Sequence, residues 1–213
     1  MDGKKLIIFD KDGTLMDTTE SSMRVIEELA KRFGLPTAPR ERWIEALSGS
    51  FGRNIKWLYD LTDEQVPVMA IEYAKLYGEM EAYYDFREYP GICETVIELA
   101  GRYMLSVATM MFRDYAVKSL KAMDLDGCFI TIEGVVMDRW LSKQDQIHRC
   151  LDTAGVSPEE TVMIGDSMDD LESARKAGID FVGVTYGFEL TEEDCKCEGI
   201  PYATTPAGLL DIL

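Results

Sequence analysis

Two short acidic clusters carry the chemistry open to this chain. The first is Phe9-Asp10-Lys11-Asp12-Gly13-Thr14-Leu15, directly after the apolar run Leu6-Ile7-Ile8-Phe9. In an open α/β sheet ligands bind beyond the carboxyl ends of the strands, and Asp10 stands at such an end. The second is Gly165-Asp166-Ser167-Met168-Asp169-Asp170, after Val162-Met163-Ile164. Asp166 and Asp170 open a helical pattern and, four apart, point to the same side of it. Together the clusters would gather Asp10, Asp12, Asp166 and Asp170 in one place, an arrangement that a hard cation such as Mg²⁺ relieves by taking carboxylate and carbonyl oxygens. A calcium loop of the EF-hand type does not fit, because Gly13 comes too early and Ser21 stands where the closing glutamate belongs. A serine nucleophile elbow at Ser167 fails because Asp169 occupies the place of its second glycine.

Strand ends must hold these acids. The runs Leu6-Ile7-Ile8-Phe9, Met104-Leu105-Ser106-Val107-Ala108, Cys128-Phe129-Ile130-Thr131-Ile132, Val162-Met163-Ile164 and Phe181-Val182-Gly183-Val184 are nearly continuous, as in strands covered on both faces of a parallel sheet. Helical stripes separate the later ones: Ile92, Val96, Leu99 and Ala100 before Gly101, Ile147, Cys150, Leu151 and Ala154 before Gly155, and Leu171, Ala174 and Ala177 before Gly178. Each glycine is expected to close its helix in the left-handed conformation. Ser157-Pro158-Glu159-Glu160 reads as a capping box opening a helix. The alternation predicts βαβ units, hence an α/β fold with a Rossmann-like parallel sheet core flanked by helices. Its ligands are expected beyond the carboxyl ends of the strands. Residues 16–88 break the rhythm. Met23, Ile26, Leu29, Ala30 and Phe33 form one helical stripe, Trp43, Ala46 and Leu47 a second, Ile55, Leu58 and Tyr59 a third, followed by an Ala-, Glu-, Met- and Tyr-rich stretch. The organisation expected is a core of residues 1–15 and 89–213, with an all-helical cap of residues 16–88 inserted after the first strand.

Composition narrows the function. Among 213 residues, 22 Lys and Arg stand against 39 Asp and Glu, a formal net charge of −17. Nucleic acids and anionic membranes would be repelled at long range, and no apolar run approaches the roughly 20 residues needed to span a bilayer. A small anionic substrate remains compatible if a cation and a few positive groups neutralise it locally. The five cysteines are odd in number, and the apolar run after Lys5 is shorter than a signal-peptide core of about 7–15 residues. Reduced thiols and a cytoplasmic location are therefore expected, with the chain a monomer or homodimer. Cys195-Lys196-Cys197 has no second pair and no neighbouring histidine to complete a zinc site.

With these motifs in their order, the chain resembles the haloacid dehalogenase-like hydrolase superfamily, in the phosphoglycolate phosphatase-like branch with a helical cap. The resemblance covers core and insertion alike. It rests on Asp-x-Asp-Gly-Thr at Asp10 to Thr14, an apolar strand reaching Thr109, Lys143 at a helix start behind Ser142, and Gly-Asp-x-x-x-Asp at Gly165, Asp166 and Asp170. It implies that Asp10 is the nucleophile that takes up a phosphoryl group, and that Asp12 is first general acid and then general base. Mg²⁺ would be held by Asp10, the backbone carbonyl of Asp12 and Asp166, with Asp170 supporting the metal or Lys143. Thr109 and Lys143 would bind phosphate oxygens, with Gly13 and Met110 beside them. Met110-Met111 and Gln144 depart from the polar residues and the proline common at those positions in relatives, which bears on substrate more than on phosphoryl chemistry. Ser48-Gly49-Ser50-Phe51-Gly52-Arg53 is expected to be the specificity loop of the cap, with Arg53 reaching substrate and Arg113 replacing a missing lysine.

The function expected is a Mg²⁺-dependent phosphatase acting on a small phosphorylated metabolite, phosphoglycolate-like or a phosphosugar. Within the family, a phosphosugar mutase of the β-phosphoglucomutase type is the main rival; a phosphonoacetaldehyde hydrolase would need Lys31 or Lys56 as a Schiff-base lysine. A non-catalytic phospho-ligand-binding regulator is the alternative of another class. Retention of all four acids speaks against it.

Overall fold

The computed structural model describes residues 3–47, 51–136 and 141–213. The chain divides into two compact units, Met1–Asp17 with Glu88–Leu213, and Thr18–Arg87. In chain order the strands are β1 (Leu6–Phe9), β2 (Met16–Asp17), β3 (Arg87–Glu88), β4 (Met104–Phe112), β5 (Thr131–Val135), β6 (Thr161–Gly165), β7 (Asp180–Val184) and β8 (Tyr202–Ala203). The short strands β2 and β3 pair where the chain passes between the units, and the other six form one sheet in the order β5-β4-β1-β6-β7-β8. Every pairing in that sheet is parallel.

Leu6, Ile7, Ile8 and Phe9 of β1 are wholly buried, which explains why the run is continuously apolar: both faces are covered. The first unit carries helices α5 (Ile92–Ala100), α6 (Arg113–Ala122), α7 (Lys143–Ala154), α8 (Met168–Ala177), α9 (Glu192–Glu198) and α10 (Leu209–Ile212), after α1 to α4 of the second unit. Ile147, Cys150, Leu171 and Ala174 of α7 and α8 join Leu6, Ile8 and Met163 in one buried cluster. Connections leave β1 toward β4 and β5 on one side, then return to β6, β7 and β8 on the other. The sheet therefore reverses direction at β1, and such a reversal opens a crevice at the carboxyl ends of the strands.

The second unit is helical: α1 (Thr19–Phe33), α2 (Arg40–Leu47), α3 (Phe51–Tyr59) and α4 (Gln65–Glu79). Trp43 anchors it. Its ring meets Tyr59 edge-on at 5.6 Å and its Nε1 donates to the carbonyl of Ala38 at 2.8 Å, so the indole is buried without leaving its donor unpaired.

Several local expectations change. Thr109 does not end its strand; β4 continues to Phe112 after a register shift beyond Ala108, because Met110, Met111 and Phe112 extend the apolar pattern. Cys128 lies in a 3-10 turn, and β5 starts only at Thr131. Gly101 has φ −73 rather than a left-handed value; its N–H already reaches the carbonyls of Ile97 and Glu98, so α5 ends without that conformation. Ser157 makes the capping box, but the turn it opens is 3-10. Phe33 lies at 40% exposure, outside the buried stripe of α1. Phe51, Gly52 and Arg53 form the first turn of α3 rather than a loop, and the preceding positions Ser48, Gly49 and Ser50 lie outside the described residues.

Candidate active site

Asp10 follows β1 directly. Its N–H donates to the carbonyl of Ile164 at 2.9 Å, and Phe9 is in register with Ile164 of β6 and Val107 of β4. Parallel pairing therefore brings Asp10 beside Gly165 and Asp166, which lie at the end of β6. Asp166 is the next residue of the chain after that strand, and Asp170 sits in the first turn of α8. Ser167 caps α8 with its hydroxyl, which accepts from the Asp170 N–H at 3.2 Å and donates to Asp170 Oδ2 at 2.7 Å.

One carboxylate oxygen each from Asp10, Asp166 and Asp170 lies within 4.8 Å of the others, and all three side chains are buried. Lys143 opens α7, whose start is fixed by a capping box between Ser142 and Asp145. Its Nζ donates to Asp10 Oδ1 at 2.5 Å and to Asp170 Oδ1 at 2.6 Å. Asp166 is held differently: Thr14 Oγ1 donates to Oδ1 at 3.1 Å and the Phe188 N–H to Oδ2 at 2.8 Å. The set is all oxygen, anionic and close-spaced, and one lysine cannot balance three buried carboxylates. These residues fit a hard divalent cation.

Three of the four predicted acids come together. The carboxylate of Asp12 is outside that group and instead pairs with the ammonium of Lys11, a side chain with no exposed surface. Gly13 has φ +84, and a Cβ there would lie 2.1 Å from Asp166 Oδ2, so the loop approaches Asp166 as only glycine allows. Thr109 is buried in β4, with Oγ1 accepting from the Met111 N–H at 3.1 Å. Met110 is exposed, its Sδ 3.8 Å from Gln146 Nε2. Arg113 starts α6, and its Nε donates to the carbonyl of Ile132 at 3.0 Å. Arg53 is exposed on α3 of the helical unit.

Sequence reasoning gave no role of their own to Lys11, Thr14 or the segment after β7. Tyr186 Oη donates to the carbonyl of Thr14 at 3.2 Å, and Phe188 reaches Asp166. A glycine three residues past an apolar strand, on the same sheet edge as Asp10, was the available signal.

Burial dominates the electrostatics. It lifts the Asp10 carboxyl from its usual 3.8 to about 7, with Asp170 and Asp12 adding to the rise and Lys143 opposing it. Asp166 is likewise raised well above the ordinary range by burial and by Asp10 and Asp170. Burial disfavours the Lys143 ammonium, but Asp10 and Asp170 outweigh it and hold the lysine above its ordinary value. A carboxyl raised on folding adds stability below its usual 3.8, and that contribution is lost as pH climbs through about 7. Between about pH 4 and pH 7 the metal-free protein should therefore lose thermal stability relative to Asp10→Asn, which lacks the titrating group. A ligand that binds only the folded state and only the ionised site restores it. Differential scanning calorimetry should show a divalent cation raising the midpoint more at pH 8 than at pH 5.5; equal shifts would contradict a cation site at these carboxylates.

Fold and site define a class: a parallel α/β sheet with buried carboxylates gathered at its switch point. A family model described as haloacid dehalogenase-like hydrolase matches residues 7–184, and the chain belongs to that family. The chain is 29% identical to a 5'-nucleotidase from Pseudomonas aeruginosa, the match covering 97% of this chain and 94% of the relative. It is 29% identical to a phosphoglycolate phosphatase from Mannheimia succiniciproducens, covering 86% and 87%. A solved haloacid dehalogenase-like hydrolase from Streptococcus pneumoniae superposes with a TM-score of 0.89 at 25% identity, over 100% of this chain and 99% of that one. The protein is thus a hydrolase of phosphoric monoesters. No helix among the described residues is long and apolar enough to cross a membrane.

Proposed function

We propose that this phosphatase is Mg²⁺-dependent and hydrolyses a small phosphorylated metabolite through an aspartyl-phosphate on Asp10. The observation that carries the reading is the convergence of Asp10, Asp166 and Asp170 within 4.8 Å, with Lys143 bridging two of them. Asp10, Asp166 and the backbone carbonyl of Asp12 would hold Mg²⁺, with Asp170 supporting the metal or Lys143; when bound it supplies positive charge against the phosphate oxygens.

An Asp10 oxygen attacks phosphorus, the bond from phosphorus to the ester oxygen breaks, and Asp12, in the role of general acid, gives a proton to the leaving alkoxide. Asp12, now a carboxylate, takes a proton from water as that water attacks phosphorus. The bond between Asp10 and phosphorus breaks, inorganic phosphate leaves, and Asp10 is restored. Two easier displacements replace one hard one. Thr109 and Lys143 hold the transferred phosphoryl oxygens, and Lys143 keeps its proton throughout because two carboxylates face it. Ser167 as a nucleophile is disfavoured, since its hydroxyl is engaged by Asp170. Lys31 and Lys56 are each ion-paired, with Glu28 and Asp63, an unsuitable state for Schiff-base formation.

Substrate selection is assigned to the helical unit and to Arg113. Three substrate classes follow, of which the relatives' names supply two, phosphoglycolate and nucleotides. Phosphoglycolate-like and phosphosugar monoesters form the first reading; nucleoside monophosphates form a second, favoured by the 5'-nucleotidase that matches 97% of the chain. Reduced cysteines in a cytoplasmic setting accord with five free thiols. A phosphate-release screen with Mg²⁺ across these three classes tests the reading. Expected is release of inorganic phosphate with one equivalent of alcohol, abolished by chelation. Isomerisation without release would favour a mutase, and binding without turnover a regulator. Arg53→Ala and Arg113→Ala should each lower kcat/KM about tenfold, mainly through KM, the scale of one hydrogen bond to a charged group. Unchanged specificity constants would remove both arginines from the site.

A further inference from the structure

We propose that segment 186–190, just beyond β7, is a strap that positions Asp166 for divalent-ion binding, with Gly187 as its size-determining residue. The inference rests on the reading of Asp166 as a Mg²⁺ ligand.

The strap touches the site at successive residues. Tyr186 Oη donates to the carbonyl of Thr14 at 3.2 Å, the residue whose own hydroxyl holds Asp166 Oδ1. The Phe188 N–H donates to Asp166 Oδ2 at 2.8 Å, and the Leu190 N–H to the Asp166 carbonyl at 2.8 Å. Glu189 Oε1 accepts from the Met168 N–H at 3.5 Å, at the start of α8. Leu190, buried in the cluster with Met163 and Phe181, ties down the far end.

Gly187 has no room for a side chain. A Cβ there would lie 2.3 Å from Asp166 Cβ and 2.4 Å from the carbonyl oxygen of Gly13. Asp166 is thus gripped between two glycine backbones, since a Cβ on Gly13 would also strike it. Each Asp166 oxygen accepts one hydrogen bond from this cradle, which leaves each with a further lone pair for a cation. A turn serving only to join β7 to α9 would need neither the double contact with Asp166 nor the missing side chain. Partners of this kind, which hold a ligand rather than the metal, commonly govern affinity by 10- to 100-fold.

Calorimetric titration of the substrate-free protein with Mg²⁺ decides the matter, on the wild type, Gly187→Ala, Tyr186→Phe and Leu120→Ala, a core truncation on α6. Gly187→Ala should weaken Mg²⁺ binding about 10-fold or more. Tyr186→Phe keeps its shape, loses one hydrogen bond and should weaken binding about threefold; it decides alone if Gly187→Ala does not fold. Leu120→Ala should lower the thermal midpoint while keeping wild-type affinity. Wild-type binding that the folded strap variants retain in full would overturn the strap alone, as would an equal loss in Leu120→Ala. Absence of Mg²⁺ binding by the wild type would overturn the reading of the site and the strap with it.

Discussion

Asp10→Asn should lower phosphate release by about 10⁴-fold or more, the scale seen when a covalent nucleophile is removed. The amide keeps the shape of the side chain and one oxygen, so the fold should persist. Its nitrogen cannot attack phosphorus, and the missing charge weakens the cation site as well. Stability should move the other way. Burial and two neighbouring carboxylates make the Asp10 charge unfavourable, and an uncharged amide is relieved of that cost. The variant should therefore melt no lower than the wild type in chelator at pH 8. Phosphate release persisting at the wild-type rate would remove Asp10 from the nucleophile's role.

Lys143→Met is the second large effect. The substitution keeps most of the volume but leaves Asp10 and Asp170 without the ammonium that both accept from. Removing one partner of a buried charge pair costs about 3–5 kcal/mol, so the metal-free variant should melt well below the wild type. Mg²⁺ should recover part of that stability, because it supplies positive charge to the same oxygens. Activity should not recover: kcat should remain about 10²–10³-fold low with saturating Mg²⁺, the cost of losing one preorganised charge on the transferred phosphoryl group. Stability and activity returning together would reduce Lys143 to a structural counterion.

The convergence of the acids was legible where residue type and position coincide. Asp10 and Asp166 each follow a continuously apolar strand, and parallel register alone places such strand ends side by side. Lys143 was placed by the family resemblance, at the helix start behind Ser142. What the sequence concealed is long-range backbone contact. Nothing in Thr185-Tyr186-Gly187-Phe188 states that an N–H of that segment reaches Asp166, since the pairing depends on how the chain leaves β7. The reach of β4 past Thr109 was concealed for a related reason: a register shift interrupts pairing without ending the strand. Asp12 shows the opposite lesson. Its neighbour Lys11 drew no attention in the sequence, yet its side chain is wholly buried and pairs with that carboxylate.

Covalent capture at Asp10 can be measured directly. Enzyme turning over its best substrate with Mg²⁺ is quenched in acid, treated with borohydride and digested, and the peptide containing residue 10 is read by mass spectrometry. An acyl phosphate is reduced to the alcohol, so homoserine at position 10 is the expected product, absent when substrate is withheld. An unmodified Asp10 in enzyme whose acyl phosphate is instead trapped at another carboxylate would contradict the mechanism.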